Sequence, residues 1–309
     1  MQKRELSFLA YLFQMDKKLL QGAHTALITP MKDGSVSYTD LECLVNAQLS
    51  SGISGVVPCG TTGESTTLSE HEHLQVIKST VEVVDKKIPV IAGTGANSTL
   101  EALELTKKAD SAGADAFLLV APYYNKPSQD GLFAHFSALA ECTEKPIVLY
   151  SIPSRCGIEI STSTIVKLYE KYPNVCALKE AGGRSTKVSE TTSAVDDDFI
   201  ILSGDDGLTL PFMACGAKGV ISVASNIIPA TVTKLVNLAL DGNYAEARKL
   251  HLQNFQFFSD IFMEPNPVPI KTLLHIKGMI QSAEVRLPLT SPSSKNAELL
   301  QNIARELVV

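Results

Sequence analysis

The chain has 309 residues, of which 45% are hydrophobic and 19% charged, so it has enough apolar material for a large core and is not a disordered chain. Its 27 basic and 33 acidic residues leave a net charge of −6, which argues against nucleic acid or an anionic membrane as the partner. The chain lacks Trp and only 6% of its residues are aromatic, which also argues against a surface that stacks nucleic-acid bases.

The first 21 residues are predicted to form an extension outside the fold. Lys3 and Arg4 precede a short apolar run at residues 6–13, as in a secretory signal, but no small-residue cleavage site follows that run. Met15 is an alternative start of the chain. No other apolar stretch is long enough to predict a membrane span.

Six cysteines are scattered along the chain, and none forms a C-x-x-C pair. This usage predicts reduced thiols in a cytoplasmic protein. Cys59 and Cys156 flank candidate site loops, but no histidine is near them in the sequence to activate a thiolate. We therefore assign them no chemical role.

Eight short apolar runs alternate with amphipathic segments along the chain. Each run is continuously apolar, which is typical of strands buried on both faces of a parallel sheet. The runs lie at residues 23–28, 55–58, 89–92, 116–121, 146–150, 175–178, 199–202 and 219–223. Thr39 is predicted to cap the first helix, and Ser69 with Glu72 forms a capping box before another.

Eight strand–helix units predict an α/β fold, a (β/α)8 TIM barrel over residues 22–228. A doubly wound sheet is the alternative, but it usually has fewer strands and a glycine-rich phosphate turn after its first strand. The first run here ends at Thr29 and Pro30, without such a turn. Residues 229–309 are predicted to add C-terminal helices packed on the barrel, at 231–240, 244–261, 269–281 and 297–307.

The sixth apolar run is followed directly by Lys179. In a TIM barrel, catalytic side chains gather at the carboxyl ends of the strands. Burial of an ammonium there lowers its pKa and frees the amine as a nucleophile, which suits Schiff-base formation with a carbonyl substrate. The alternative is a strand-end lysine that extends into water.

The ends of other runs carry further candidates. Thr61 and Thr62 lie between two glycines, and this loop suits a carboxylate, although the threonines are equally able to cap the next helix. Tyr150 is a candidate proton shuttle or a core phenol. Arg155 is a candidate clamp for a second carboxylate or an exposed loop arginine.

Two groups of polar residues are predicted to be structural. Asp205 and Asp206 resemble an acid pair, but their Gly-Asp-Asp-Gly setting favours a turn and a helix cap. The six histidines lack metal-ligand spacing, since His71 and His73 are two residues apart on a predicted helix and face different directions. We therefore predict no metal site.

Taken together, these segments resemble the pyruvate-dependent class I (Schiff-base) aldolases, and within them the dihydrodipicolinate synthase family. The resemblance covers nearly all of residues 22–308. No single segment is specific, but their combination and order are. The segments are residues 60–65 (GTTGES), 90–97 (VIAGTGAN), 122–127 (PYYNKP), Tyr150 with 153–155 (PSR), 178–181 (LKEA), 203–206 (SGDD) and 264–267 (EPNP).

The resemblance implies roles for individual residues. Lys179 forms an imine with pyruvate, and Thr62 with its adjacent backbone holds the pyruvate carboxylate. Thr61, Tyr150 and Tyr124 form a proton relay, with Tyr124 supplied by a neighbouring subunit. The family is usually a homotetramer built as a dimer of tight dimers.

Three more positions match substrate-binding residues of the family. Arg155 binds the carboxylate of the second substrate, L-aspartate 4-semialdehyde, while Ile221, through its backbone, and Gly204 contribute to substrate binding. The covalent imine with pyruvate requires no cofactor. The product, 4-hydroxy-tetrahydrodipicolinate, enters the diaminopimelate route to lysine.

The resemblance also implies a feedback site for lysine, with two departures from the best-inhibited bacterial members. The matching residues are Ser65, His73, Asn97, Glu101 and Tyr123. Thr66 and Glu70 replace an alanine and a histidine, so lysine is expected to bind with a strength that the sequence does not predict. Ser151 replaces an asparagine at a position outside the relay.

Two other functions compete with this interpretation. A sialic-acid or keto-deoxy-sugar acid lyase would share Lys179 and Tyr150 but need hydroxyl-binding groups near Arg155. A noncatalytic barrel that binds small carboxylates would carry the same pocket with an unreactive lysine.

Overall fold

The structure, a computed structural model, describes residues 19–307, and within them eight parallel strands form the sheet. The predicted extension therefore lies mostly outside the described residues, and so does Met15. The strands are β1 Gly22–Ala26, β2 Gly55–Val57, β3 Ile91–Gly93, β4 Ala116–Val120, β5 Ile147–Ser151, β6 Val175–Glu180, β7 Ile200–Ser203 and β8 Gly219–Ser222.

A helix follows each strand. The eight helices are α1 Tyr38–Ser50, α2 Glu70–Val84, α3 Thr99–Ser111, α4 Gln129–Ala140, α5 Thr162–Lys171, α6 Ser185–Thr192, α7 Thr209–Ala214 and α8 Pro229–Leu240. Three helices follow the barrel, namely α9 Tyr244–Asp260, α10 Val268–Ile276 and α11 Ser294–Glu306. Short elements in the loops are a hairpin of Met31–Lys32 and Ser35–Val36, one-turn helix Pro153–Cys156, and 3₁₀ turns Ser65–Thr67 and Ala224–Asn226.

The strands pair in the order β2-β1-β8-β7-β6-β5-β4-β3, every pair being parallel. A parallel bridge between Val56 of β2 and Val90, just before β3, closes the ring. The TIM-barrel prediction is confirmed, and the doubly wound alternative is wrong because an open sheet would leave these two edges apart.

Apolar side chains fill both the inside of the barrel and the layer between strands and helices. Leu20, which falls in the predicted extension, packs inside the barrel with Ala26, Val57 and Ile221. Burial on both faces explains why most residues of each strand are apolar. The predicted domain boundaries after residues 21 and 228 stay predictions.

Serine side chains define where several helices begin. Ser69 accepts a hydrogen bond from the Glu72 N–H while Glu72 accepts one from the Ser69 N–H, which is the predicted capping box. The cap predicted for α1 was wrong, because Ser37 accepts from the Asp40 N–H and Thr39 lies inside the helix. The caps fix where α1 and α2 begin, before and after β2 in the chain, and the carboxyl end of β2 carries the threonine loop.

The part of the chain that the structure describes contains no helix long and apolar enough to cross a membrane. None of the six cysteines, all of which lie within residues 19–307, forms a disulfide. The cytoplasmic location inferred from their usage stays a prediction.

Candidate functional site

Strand register brings Lys179 and Tyr150 together. The two residues are Cα partners in the parallel pair β5–β6, so their side chains leave the sheet on the same face. The Lys179 ammonium nitrogen lies 4.2 Å from the centroid of the Tyr150 ring. Tyr150 belongs to the cluster inside the barrel, so both groups project into the barrel at its carboxyl end.

Burial makes Lys179 an unusual lysine. Only 7% of the residue is exposed, and the strand-end lysine extending into water is therefore ruled out as a description of this side chain. Burial lowers the pKa of the amine to about 7; the Asp206 carboxylate opposes the shift and the Arg155 guanidinium adds to it. A large share of the amine is therefore unprotonated at neutral pH.

Gly204 leaves the space that the Lys179 side chain occupies. A Cβ atom at Gly204 would lie 3.1 Å from Lys179 Cε and 2.7 Å from the Ala181 Cβ. Its N–H donates a 2.8 Å hydrogen bond to the Glu180 carbonyl, which fixes the glycine against β6. The structure thus gives Gly204 a steric role beside the amine.

The two neighbouring aspartates have different environments. Asp205 accepts a 3.2 Å hydrogen bond from the Leu208 N–H, as predicted for a turn residue. The cap prediction is wrong for Asp206, which is 2% exposed and accepts from the Ser222 hydroxyl and from the backbone N–H groups of Val223 and Ala224.

Asp206 contributes a charge to the Lys179 environment that the sequence did not reveal. Burial raises the pKa of this carboxyl to about 6, and the three hydrogen bonds that it accepts oppose the shift. At neutral pH the group is largely ionised and favours the protonated form of Lys179. Asp206 thus limits how far burial lowers the lysine pKa.

Tyr150 is 4% exposed, and burial raises the pKa of its phenol to about 12. The Arg155 charge and a hydrogen bond with the Thr61 side chain oppose this shift. The phenol is therefore protonated at neutral pH and is able to donate to a group next to the Lys179 amine.

A cavity of about 230 Å³ opens beside Tyr150. Its wall includes Thr61, Tyr150 and the exposed Arg155, with Cys59 and Cys156 also contributing. Burial raises the pKa of both thiols, so neither is a ready thiolate. The other five predicted catalytic and substrate-binding residues do not line this wall; they are Lys179, Thr62, Tyr124, Gly204 and Ile221. Lys179 nevertheless lies close to it, since its amine contacts the ring of Tyr150.

Ile221 occupies an interior position of β8, where it is 1% exposed and pairs in register with His24 of β1. The side chain packs in the barrel interior with Tyr150 and Leu202. Ile221 therefore lies inside the barrel. Its predicted backbone contact with pyruvate stays a prediction.

The threonine loop after β2 is held by residues from the C-terminal helices. Asn266 donates a 2.9 Å hydrogen bond to the hydroxyl of Thr62, which is 3% exposed. Glu64 and Lys271 form an ion pair of 2.7 Å, with side-chain exposures of 1% and 0%. The helix-cap alternative for the threonines is wrong for Thr62, because its hydroxyl binds Asn266, whereas α2 is capped by Ser69.

Sequence reasoning missed Glu64, Asn266 and Lys271 as parts of this site. A signal was present for Lys271, which is the single charged residue among residues 268–274 and must find a partner when buried. Nothing in the sequence paired it with Glu64, which lies 207 positions away.

Tyr124 is not in the site of its own chain. It lies in the loop after β4, is 90% exposed, and has a φ of 72°. An L-residue rarely adopts this left-handed conformation. An exposed aromatic side chain on a strained loop suits contact with another molecule.

A second cavity, of about 310 Å³, adjoins the first. Four of the five predicted lysine-site residues line it, and both cavities share Ser65 and Tyr123. The four are Ser65, His73, Glu101 and Tyr123. The fifth, Asn97, lies off the described wall but hydrogen-bonds Tyr123 through its backbone.

The charges at this second cavity are predominantly acidic. Glu70, Glu101 and Glu104 line it, and Glu70 is paired with Lys108. Burial lowers the pKa of His73, whose ring nitrogen bonds the Gly93 carbonyl at 2.7 Å, so the imidazole is neutral at neutral pH. The cavity is therefore suited to a cationic ligand.

Comparison with known proteins agrees with this geometry. The model of the "Dihydrodipicolinate synthetase family" matches residues 19–307. A 4-hydroxy-tetrahydrodipicolinate synthase of Sulfurihydrogenibium sp. is 50% identical over 288 residues, which are 93% of this chain and 98% of the relative.

Two solved structures of similar proteins contain bound ligands. The chloride-inhibited dihydrodipicolinate synthase of Acinetobacter baumannii, solved with pyruvate, is 42% identical with a TM-score of 0.90, covering 93% of this chain and 98% of that one. The enzyme of Cyanidioschyzon merolae, solved with lysine bound, is 39% identical with a TM-score of 0.90, covering 94% and 99%. Because the family model and a relative at 50% identity both span nearly the whole chain, the chain belongs to the dihydrodipicolinate synthetase family.

Proposed function

We propose that this enzyme condenses pyruvate with L-aspartate 4-semialdehyde to give 4-hydroxy-tetrahydrodipicolinate, in the diaminopimelate route to lysine. The observation that carries the proposal is the buried Lys179 amine, 4.2 Å from the Tyr150 ring centroid and with its pKa lowered to about 7. The names of the relatives and the pyruvate complex of the Acinetobacter baumannii enzyme support the same substrate.

The proposed reaction begins with attack of the unprotonated Lys179 amine on C2 of pyruvate. The resulting carbinolamine loses its hydroxyl as water, and the protonated Tyr150 phenol is suited to donate the proton that this step needs. Thr61, hydrogen-bonded to Tyr150, extends the proton path. The product of this half-reaction is an imine, with Thr62 as the proposed donor to the pyruvate carboxylate.

Loss of a C3 proton converts the imine to an enamine, whose C3 attacks the aldehyde carbon of the semialdehyde and leaves a hydroxyl there. The amino group of the second substrate then attacks the imine carbon and displaces the Lys179 amine, which closes the six-membered ring. The chemistry balances with one water released, and we propose that it proceeds without a cofactor or metal.

The amine pKa predicts the pH dependence of the first step. Trapping with cyanoborohydride should add the pyruvate-derived mass to Lys179, with a rate that rises through a pH of about 7 and then levels off. Peptide mass mapping of the adduct across pH measures this profile. Lys179→Ala should abolish the adduct, and a midpoint near the ordinary lysine value of 10.5, or no adduct in the natural chain, would contradict the proposal.

Arg155 is proposed to hold the carboxylate of the second substrate. Arg155→Ala should raise the KM for the semialdehyde on the order of tenfold or more, because a charge-assisted bidentate contact is lost, while the pyruvate adduct on Lys179 still forms at saturating pyruvate. Arg184→Ala is the matched control, since Arg184 is exposed and pairs with Glu159 instead of lining the cavity. Cleavage of sialic acid without turnover of the semialdehyde would favour the competing lyase function.

Tyr124 is proposed to complete the proton relay of a neighbouring subunit within a homotetramer. Its 90% exposure and its absence from the cavity wall of its own chain support this proposal. A homotetramer that is a dimer of dimers would bring each Tyr124 to one neighbouring site.

Mixing two inactive variants tests this sharing. In hybrid dimers of Lys179→Ala with Tyr124→Phe subunits, one site combines an intact lysine with an intact neighbouring tyrosine. Random mixing should therefore restore about a quarter of the natural activity in the coupled assay. No recovery in mixtures that demonstrably exchange subunits would mean that Tyr124 does not act across the interface.

Lysine is proposed to bind the second cavity as a feedback inhibitor. The lysine-bound relative and the acidic wall of Glu70, Glu101 and Glu104 support this ligand. The Glu70–Lys108 ion pair already engages one of these carboxylates, so the lysine ammonium competes with a resident ammonium there.

Glu101 offers the clearest test of the lysine proposal. Glu101→Gln should raise the lysine concentration for half-inhibition by roughly three- to tenfold, because a charge-assisted contact is lost, without changing activity in the absence of lysine. Glu82→Gln is the control, since Glu82 is exposed on α2 and pairs with Lys78. Initial rates at increasing lysine measure the effect, and an unaltered chain insensitive to lysine would end the proposal.

A further inference from the structure

Asn266 connects the C-terminal helices to the loop that carries Thr62. It directly precedes the cis peptide bond to Pro267 at the start of α10, and its Nδ2 donates a 2.9 Å hydrogen bond to Thr62 Oγ1. Asn266 is 8% exposed and Thr62 is 3% exposed. Water therefore does not readily replace either partner, and a lost hydrogen bond would leave a buried polar group unsatisfied.

The direction of this hydrogen bond determines what the Thr62 hydroxyl is able to do. A threonine hydroxyl has one hydrogen to donate and two lone pairs to accept. The Asn266 amide occupies one lone pair, and among residues 19–307 it is the hydrogen-bonding partner of this hydroxyl. The hydrogen of Thr62 is thus left for an acceptor from outside the chain, such as a carboxylate.

A second contact from the same segment fixes the geometry. Lys271, five positions after Asn266, forms the buried ion pair with Glu64, two positions after Thr62. The other Glu64 carboxylate oxygen accepts a 3.0 Å hydrogen bond from the backbone N–H of Arg286. The segment before and within α10 therefore holds the threonine loop at two points, on either side of Gly63.

Close packing prevents the loop from shifting between those two points. A Cβ atom at Gly63 would lie 2.9 Å from the Cys59 backbone nitrogen and 3.2 Å from the Leu27 carbonyl oxygen. The Gly63 carbonyl also accepts a 2.7 Å hydrogen bond from the Thr29 hydroxyl. Thr62 is thus presented on a rigid loop, and Asn266 acts on the orientation of its hydroxyl.

We propose that Asn266 is a positioning residue: by donating to Thr62 Oγ1, it directs the Thr62 hydroxyl hydrogen toward the carboxylate of the bound keto acid. This inference rests on the proposed function, since it assumes that Thr62 binds that carboxylate. If the group at position 266 accepts a hydrogen bond instead of donating one, the Thr62 hydroxyl donates its hydrogen to that group and not to the substrate carboxylate.

The pyruvate concentration that half-saturates the trapped adduct on Lys179 measures this role. Asn266→Asp exchanges the donor for an acceptor of the same shape and should raise that concentration on the order of tenfold or more, with the adduct yield at saturating pyruvate retained. Asn174→Asp is the matched control, because the buried Asn174 amide donates to the Ala140 and Thr143 carbonyls, and its half-saturation should not change.

A double-mutant cycle separates orientation of Thr62 from a general structural effect. Asn266→Ala should raise the half-saturating pyruvate concentration severalfold in the natural background and less than about twofold in a Thr62→Val background. Circular dichroism melting checks that each variant is folded.

Each outcome decides the question. If Asn266→Ala shifts the half-saturating pyruvate concentration equally in both backgrounds, or not at all in the natural background, the inference is overturned. The proposed function is still supported in that case, provided that the adduct forms on Lys179. A natural chain that forms no adduct on Lys179 overturns the proposed function and this inference with it.

Discussion

The desolvation of one ammonium is the constraint on which the site depends. Lys179 is 7% exposed inside a barrel whose interior is apolar, and removing its charge from water disfavours the protonated form. Asp206 restores part of that loss from the neighbouring loop. The balance leaves the amine with a pKa of about 7. At neutral pH a large share of the amine is therefore uncharged and able to act as a nucleophile.

Rigidity around this amine comes from two sources. The parallel register of β5 and β6 aligns Tyr150 with Lys179, and the absence of a side chain at Gly204 gives the amine its space. The C-terminal segment acts on the threonine loop, which Asn266 and Lys271 hold. The helical addition is therefore part of the site's construction, because a buried ion pair and a buried amide join it to the barrel loop.

The two cavities meet at a common wall, which has a physical consequence for regulation. Both are lined by Ser65, Thr66, Gly95 and Tyr123. A ligand that shifts these residues in the acidic cavity changes the shape of the cavity beside Tyr150 and Arg155. Such a shared wall requires no long path between the two cavities, since the same residues line both.

The sequence by itself determined the barrel fold and the candidate residues that follow its strands. Continuous apolar runs require strands buried on both faces, and a TIM barrel brings the residues that follow them, such as Lys179 and Tyr150, to one end. Segment matches to a known family then supplied roles that no single residue carried.

Tertiary structure alone decided which polar residues were buried together. Asp206 resembles a turn residue in sequence, yet it is buried, accepts hydrogen bonds from three donors of residues 222–224, and acts on the charge of Lys179. The partners of Glu64 and Thr62 are more than 200 positions away, at Lys271 and Asn266. Local patterns do not encode such pairs, because burial of a charge or an amide is satisfied by whichever group the completed fold brings within hydrogen-bonding distance.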